Sequence, residues 1–143
     1  MNDAFAVNDV ATVRRGVLRL ARRLRVERGE GGLSATKVSL LGHLYRRGPL
    51  SPKTLAELDR VRVQSLTRVL ADLQRDDLVS RTRDPADGRQ SLIALTPAGA
   101  ALLEQHMRES DAWLAQAMDH LLSPAERQLL HLAGELLTRL AEG

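Results

Sequence analysis

This sequence predicts a mainly helical fold with one small β-hairpin, on three observations. Apolar residues recur at three- and four-residue spacing over most of the chain. The pairs Ser51-Pro52, Thr96-Pro97 and Ser123-Pro124 are helix caps followed by a proline at the first helical position. Asp84-Pro85-Ala86-Asp87-Gly88-Arg89 lies between two β-prone runs, Leu78 to Arg83 and Gln90 to Leu95. Pro85 presets φ, and Asp-Gly tolerates the positive φ of a tight hairpin end, so the segment reads as a hairpin tip carrying an arginine.

Taken in order, residues 1–8 are expected to fray. Val10, Val13, Val17, Leu20 and Leu24 then form one stripe of a helix over about 9–28, with Arg14, Arg15, Arg19, Arg22, Arg23, Arg25 and Arg28 on the rest of its surface. Gly29 to Gly32 ends it. Ser34 caps a second helix whose inner face is Val38, Leu41, Leu44 and Tyr45, and Gly48-Pro49 stops it. A short third helix covers about 52–58, with Leu50 and Leu55 placed as a hydrophobic staple. The fourth covers about 62–75, with Val63, Leu66, Val69, Leu70 and Leu73 inward and Gln64, Ser65, Thr67, Arg68 and Ala71 outward. After the hairpin a long fifth helix opens at Thr96-Pro97, its stripe being Leu103, Met107, Leu114, Met118 and Leu121. Ser123-Pro124-Ala125-Glu126 is a capping box that opens the sixth, which carries Leu129, Leu132, Ala133, Leu136, Leu137 and Leu140.

Two helices joined by a tight turn and followed by a basic-tipped hairpin make a winged helix-turn-helix, a shape suited to duplex DNA. Small polar side chains on the outer face of the fourth helix suit base edges. The charge balance agrees. Overall it is only +3, but residues 1–33 sum to +3, residues 34–95 to +4 and residues 96–143 to −4. A polyanion therefore suits one side of the molecule. Arginine outnumbers lysine nineteen to two, as a GC-rich genome alone would produce, so the positions of the arginines carry the argument.

At 143 residues with 43% hydrophobic and 2% aromatic content, one domain with an aliphatic core is expected. No apolar run is long enough to span a bilayer, and Met1 to Asp9 lacks a signal-peptide pattern, so a bacterial cytoplasmic location is expected. The absence of cysteine excludes disulfides, thiolate metal sites and thiol sensing. His43, His106, His120 and His131 give no tight ligand pair, so no metal and no cofactor are expected. There is no nucleophile elbow, phosphate loop or His-Glu helix motif, so the chain does not read as an enzyme. The helices outside the winged module carry more Leu and Val than one small module needs, so pairing with a second copy is expected.

The motifs Gly48-Pro49-Leu50-Ser51, Leu55-Ala56-Glu57-Leu58, Ser65-Leu66-Thr67-Arg68 and Asp77-Leu78-Val79-Ser80-Arg81 occur in this order. With Asp84 to Arg89 and Leu95-Thr96-Pro97-Ala98-Gly99 after them, the chain resembles the MarR family of bacterial transcriptional regulators over roughly 10–140. One departure is Asp77, where relatives often carry glycine. The resemblance makes 1–143 a single domain, with 9–33 and 97–143 as dimerisation helices around a winged DNA-binding lobe at 34–95. It implies a homodimeric repressor on a pseudo-palindromic operator, with the fourth helix in the major groove and Arg89 in the flanking minor groove. Gln64, Ser65 and Arg68 are then expected at base edges, and Arg62 and Thr67 at bases or phosphates. Lys53, Arg81 and Arg83 are expected to neutralise phosphates. Asp87 is expected to brace Arg89 or the turn. Release by a small aromatic acid would draw on Arg15, Arg19, His43 and Arg46. The rival readings are a winged-helix protein-interaction module and a non-specific architectural DNA binder.

Overall fold

The computed structural model describes residues 3–28 and 32–143, without the side chains of residues 3–7. Six helices and one hairpin follow in the order α1 (Asp3–Glu27), α2 (Ala35–Arg47), α3 (Pro52–Asp59), α4 (Val63–Arg75), β1 (Val79–Arg83), β2 (Ser91–Leu95), α5 (Pro97–Leu121) and α6 (Pro124–Glu142). The start of α1 corrects the sequence reading: residues 3–8, expected to fray, are helical, and no glycine or proline stands there to break the turn. The first three residues of the expected Gly29 to Gly32 stop lie outside the described residues.

The chain divides into two compact units. One comprises α1, the part of α5 from Glu109, and α6; the other comprises α2, α3, α4, the hairpin and α5 as far as Arg108. Among the described residues, no helix is long and apolar enough to cross a membrane.

The winged lobe closes on an aliphatic core: Leu40, Leu41 and Leu44 from α2, Leu55 and Ala56 from α3, and Leu66, Leu70 and Leu73 from α4. Leu78, Val79, Ile93 and Leu103 complete it. Tyr45, expected inward, is exposed and donates from its hydroxyl to Glu104 Oε1 at 3.2 Å, because the phenol keeps a polar partner at the rim. Leu40 takes the inner place instead. The caps fall where the sequence puts them. Ser34 Oγ accepts from Lys37 N and Ser51 Oγ from Thr54 N, and Ser123 with Glu126 forms a full capping box. The Ser123 backbone N–H, followed by its hydroxyl, holds the Glu126 carboxyl below the usual range. Gly48 ends α2 with φ of 79°, its N–H bonded to Leu44 O.

β1 and β2 pair antiparallel from Val79↔Leu95 to Arg83↔Ser91. Leu50 does more than staple α3: its N–H and C=O both pair with Ile93, at 3.0 and 2.8 Å, adding one residue of a third strand. At the hairpin root, Asp77 occupies the left-handed region with φ of 58°, the conformation that glycine adopts freely. Aspartate is among the few L residues that visit it, so the departure at Asp77 leaves the turn intact. Thr96 Oγ1 donates to Asp77 O at 2.6 Å and accepts from Gly99 N at 3.0 Å, capping α5. Gly99 lies against Leu78: a Cβ there would sit 2.1 Å from the Leu78 carbonyl oxygen.

In the other unit, no described side chain of α1 or α6 is buried. The Arg23 guanidinium lies 5.8 Å from the centre of the Trp113 ring and bonds Glu27 at 2.5 Å. Arg127 pairs with Asp119 between α6 and α5.

The hairpin root yields two stability predictions. Gly99→Ala forces backbone apart and is expected to cost about 1–3 kcal/mol or more in thermal unfolding. Asp77→Gly is expected to leave the melting temperature unchanged or higher, whereas Asp77→Val lowers stability by roughly 1–2 kcal/mol.

Candidate nucleic-acid interface

One surface of the winged lobe is built from α3, α4 and the hairpin. The turn after α3 is made by Arg60, left-handed with φ of 55°, whose N–H bonds Glu57 O. Val61 N then bonds Ala56 O at 3.0 Å, and α4 begins after Arg62, which supplies no side-chain cap. Residues 61–65 are all exposed and the core begins at Leu66. Val63, expected inward, is therefore 41% exposed, because the first turn of α4 stands proud of the packed lobe. An exposed N-terminal turn offers free N–H groups and the positive end of the helix dipole to an anion.

Gln64, Arg68, Ala71 and Arg75 share one face of α4, with Ser65 and Thr67 at its margins, and all are exposed. Thr67 Oγ1 leans back to Val63 O at 3.5 Å. Lys53 on α3, Arg81 and Arg83 on β1, and Arg89 at the tip are also exposed. Among the described residues none of Lys53, Arg62, Arg68, Arg81, Arg83 and Arg89 has a carboxylate within ion-pair distance. Arg75, by contrast, is held by Asp72 at 3.0 Å. Six open cations on one helix-turn-helix and its hairpin are poised for a polyanion whose charges the protein does not itself supply.

The tip differs in detail from the sequence reading. Neither Asp87 nor Gly88 takes a positive φ. The hairpin closes over 84–90 by Asp84 N bonding Gln90 O at 2.9 Å. Two aspartate turns shape it: Asp84 Oδ1 accepts from Ala86 N at 2.8 Å, and Asp87 Oδ1 from Arg89 N at 3.1 Å. Asp87 thus braces the backbone that presents Arg89.

Of the residues considered for a small ligand, His43 and Arg46 come together on α2. Arg46 lies 3.4 Å from His43 Nδ1, and His43 Nε2 lies 3.0 Å from Asp59 Oδ1. Arg15 and Arg19 are exposed on α1, in the other unit, and Arg15 donates to Thr12 Oγ1 at 3.4 Å. The Asp59 network, which also takes in Ser39, went unread in the sequence. Its signal is a carboxylate in the last turn of a helix, where the dipole disfavours it.

A helix-turn-helix followed by a basic wing, on a lobe of this build, is the form of a DNA-binding regulator of transcription. The MarR family model matches residues 33–91. An HTH-type transcriptional regulator of Mycobacterium bovis is 34% identical over 141 residues, 99% of this chain and 96% of the relative. The chain belongs to the MarR family. A Pseudomonas aeruginosa protein described as a transcriptional regulator has a solved structure with a TM-score of 0.83 at 33% identity, covering 100% of this chain and 99% of its own. Bordetella bronchiseptica BpsR, whose DNA binding is regulated by 6-hydroxynicotinic acid, aligns at TM-score 0.69 and 25% identity, covering 93% and 92%.

The bracing of the tip is testable. Asp87→Ala is expected to shift global stability by no more than about 0.5 kcal/mol. It should nonetheless speed amide exchange at Arg89, read by NMR.

Proposed function

We propose that this chain is a homodimeric repressor that binds a pseudo-palindromic operator in the bacterial cytoplasm and is released by a small anionic ligand. The observation that carries the DNA reading is the set of six exposed cations without ion-pair partners among the described residues, on α3, α4, its N-cap and the hairpin. In this reading Gln64, Ser65 and Arg68 meet base edges in the major groove, and Arg62 and Thr67 meet bases or phosphates. Lys53, Arg81 and Arg83 neutralise phosphates, and Arg89 enters the minor groove.

Pairing of two copies is supported by the α1–α5–α6 unit. Val10, Val13, Val17 and Leu20 on α1, and Leu129, Leu132, Leu136 and Leu140 on α6, are all more than a third exposed. Leu20, Leu114, Met118, Leu130 and Leu137 line an apolar groove in the same unit. Burying each such side chain contributes about 1.5–3 kcal/mol, enough for a second copy to hold the pair together. Paired lobes would read half-sites about one duplex turn apart.

Release by a ligand is supported by the BpsR likeness and, within the lobe, by Arg46 with His43 beside it. A carboxylate suits the arginine fork. Such a ligand lowers DNA affinity only by preferring one spacing of the recognition helices over the other.

The deciding experiment is selection of random duplexes by the purified protein, followed by sequencing. A palindromic consensus is expected; retention without consensus, or no retention, overturns the reading. On the selected duplex, Arg68→Ala should cost about 1–3 kcal/mol and relax specificity at one base pair. Arg83→Ala should weaken all duplexes alike and reduce the salt slope by about one. Unchanged operator binding by Arg89→Ala would remove the wing from the interface. Sedimentation equilibrium should give a dimer, and a monomer at micromolar concentration would refute the pairing.

A further inference from the structure

Asp59 ends α3, one residue before the left-handed Arg60 that turns the chain toward α4. Its carboxylate oxygen Oδ1 accepts two bonds from α2: from Ser39 Oγ at 2.6 Å and from His43 Nε2 at 3.0 Å. The Asp59 and His43 side chains are only 13% and 14% exposed, so the bonds are sheltered from water. Arg46 only donates, so His43 Nδ1 accepts from it and Nε2 carries the proton given to Asp59. Gly42 lies beneath the Arg46 guanidinium. A Cβ there would sit 3.1 Å from Arg46 Nη1, so the guanidinium folds onto bare helix backbone beside His43.

Nothing in helix energetics favours this carboxylate where it stands. The last turn of a helix repels negative charge, and α3 has no basic residue there to offset it. On the far side of the turn, the Arg62 side chain does not cap α4. Among the described residues, the side-chain hydrogen bonds joining α2 to α3 are the two to Asp59.

We infer that Asp59, clasped by Ser39 and His43, is a positioning residue that fixes the α3–α4 turn against α2 and so sets the angle at which α4 meets DNA. The inference rests on the reading of α4 as the recognition helix. Base-edge bonds demand accurate geometry, whereas phosphate attraction tolerates a tilted helix. Loss of the clasp therefore costs discrimination before it costs affinity.

The test uses the full chain, the duplex most enriched by selection, and a scrambled duplex of equal length. In Asp59→Ala the affinity ratio of selected to scrambled duplex is expected to fall about tenfold, with scrambled binding unchanged within about twofold. Asp59→Asn keeps an acceptor oxygen and should recover most of the ratio. Adding His43→Ala to Asp59→Ala should change it less than about twofold, because the two act through one contact. Without DNA, the Arg60 and Val61 amides should exchange about tenfold faster in Asp59→Ala while those of Leu44 and Leu70 hold. Should Asp59→Ala not fold, Ser39→Ala removes one of the two bonds and must shift ratio and exchange in the same direction. An unchanged ratio, or equal loss on both duplexes, overturns the clasp. If the natural protein does not distinguish the duplexes, the reading of α4 fails instead, and unchanged exchange then overturns the clasp by itself.

Discussion

Around the carbonyl of Leu78, three parts of the winged lobe close on one another. Leu78 N bonds back to Leu73 O at the end of α4, while Leu78 O accepts from Thr96 N at the head of α5. Gly99 rests on that same oxygen so closely that no side chain fits between them. The end of α4, the root of the hairpin and the start of α5 thus share one fixed point. Five residue pairs separate that root from the open end of the hairpin. At ~3.3 Å per residue this is a lever of roughly 17 Å, so a ten-degree error at the root displaces the tip by about 3 Å. The distance between α4 and Arg89 is controlled here.

The two units use the same aliphatic residues to different ends. In the lobe, aliphatic side chains from four helices and the hairpin bury one another, and Lys53, Arg68, Arg81, Arg83 and Arg89 stay exposed. In the α1–α5–α6 unit most of the leucines stay exposed, and salt links such as Arg127 to Asp119 join neighbouring helices. Charge follows the sequence segments and not this division, with net +3 over 1–33, +4 over 34–95 and −4 over 96–143.

Local chemistry was legible in the sequence and non-local chemistry was not. Ser34, Ser51, Thr96 and Ser123 announce helix starts because a cap needs only its own first turn. The strands fell within a residue of their expected ends, since turn residues bracket them. Periodicity misjudged Tyr45 and Val63 and passed over Leu40, because a helical stripe shows which face is apolar but not how far the neighbouring elements cover it. The pairing of Leu50 with Ile93 and the bonds on Asp59 join residues 43, 20 and 16 positions apart, which no spacing rule reaches. Of the candidate interface, the residue types and their exposure were readable. Absence of carboxylate partners around them was not, since that depends on where every acid ends up.

The pairing of Arg23 with Trp113 has a practical side. Trp113 is the sole tryptophan of the chain and belongs to the α1–α5–α6 unit, while the sole tyrosine, Tyr45, belongs to the lobe. A cation over the indole face makes its emission sensitive to the departure of that one neighbour. The protein therefore carries a native optical reporter in each unit, and the order in which they come apart can be followed without attaching a dye.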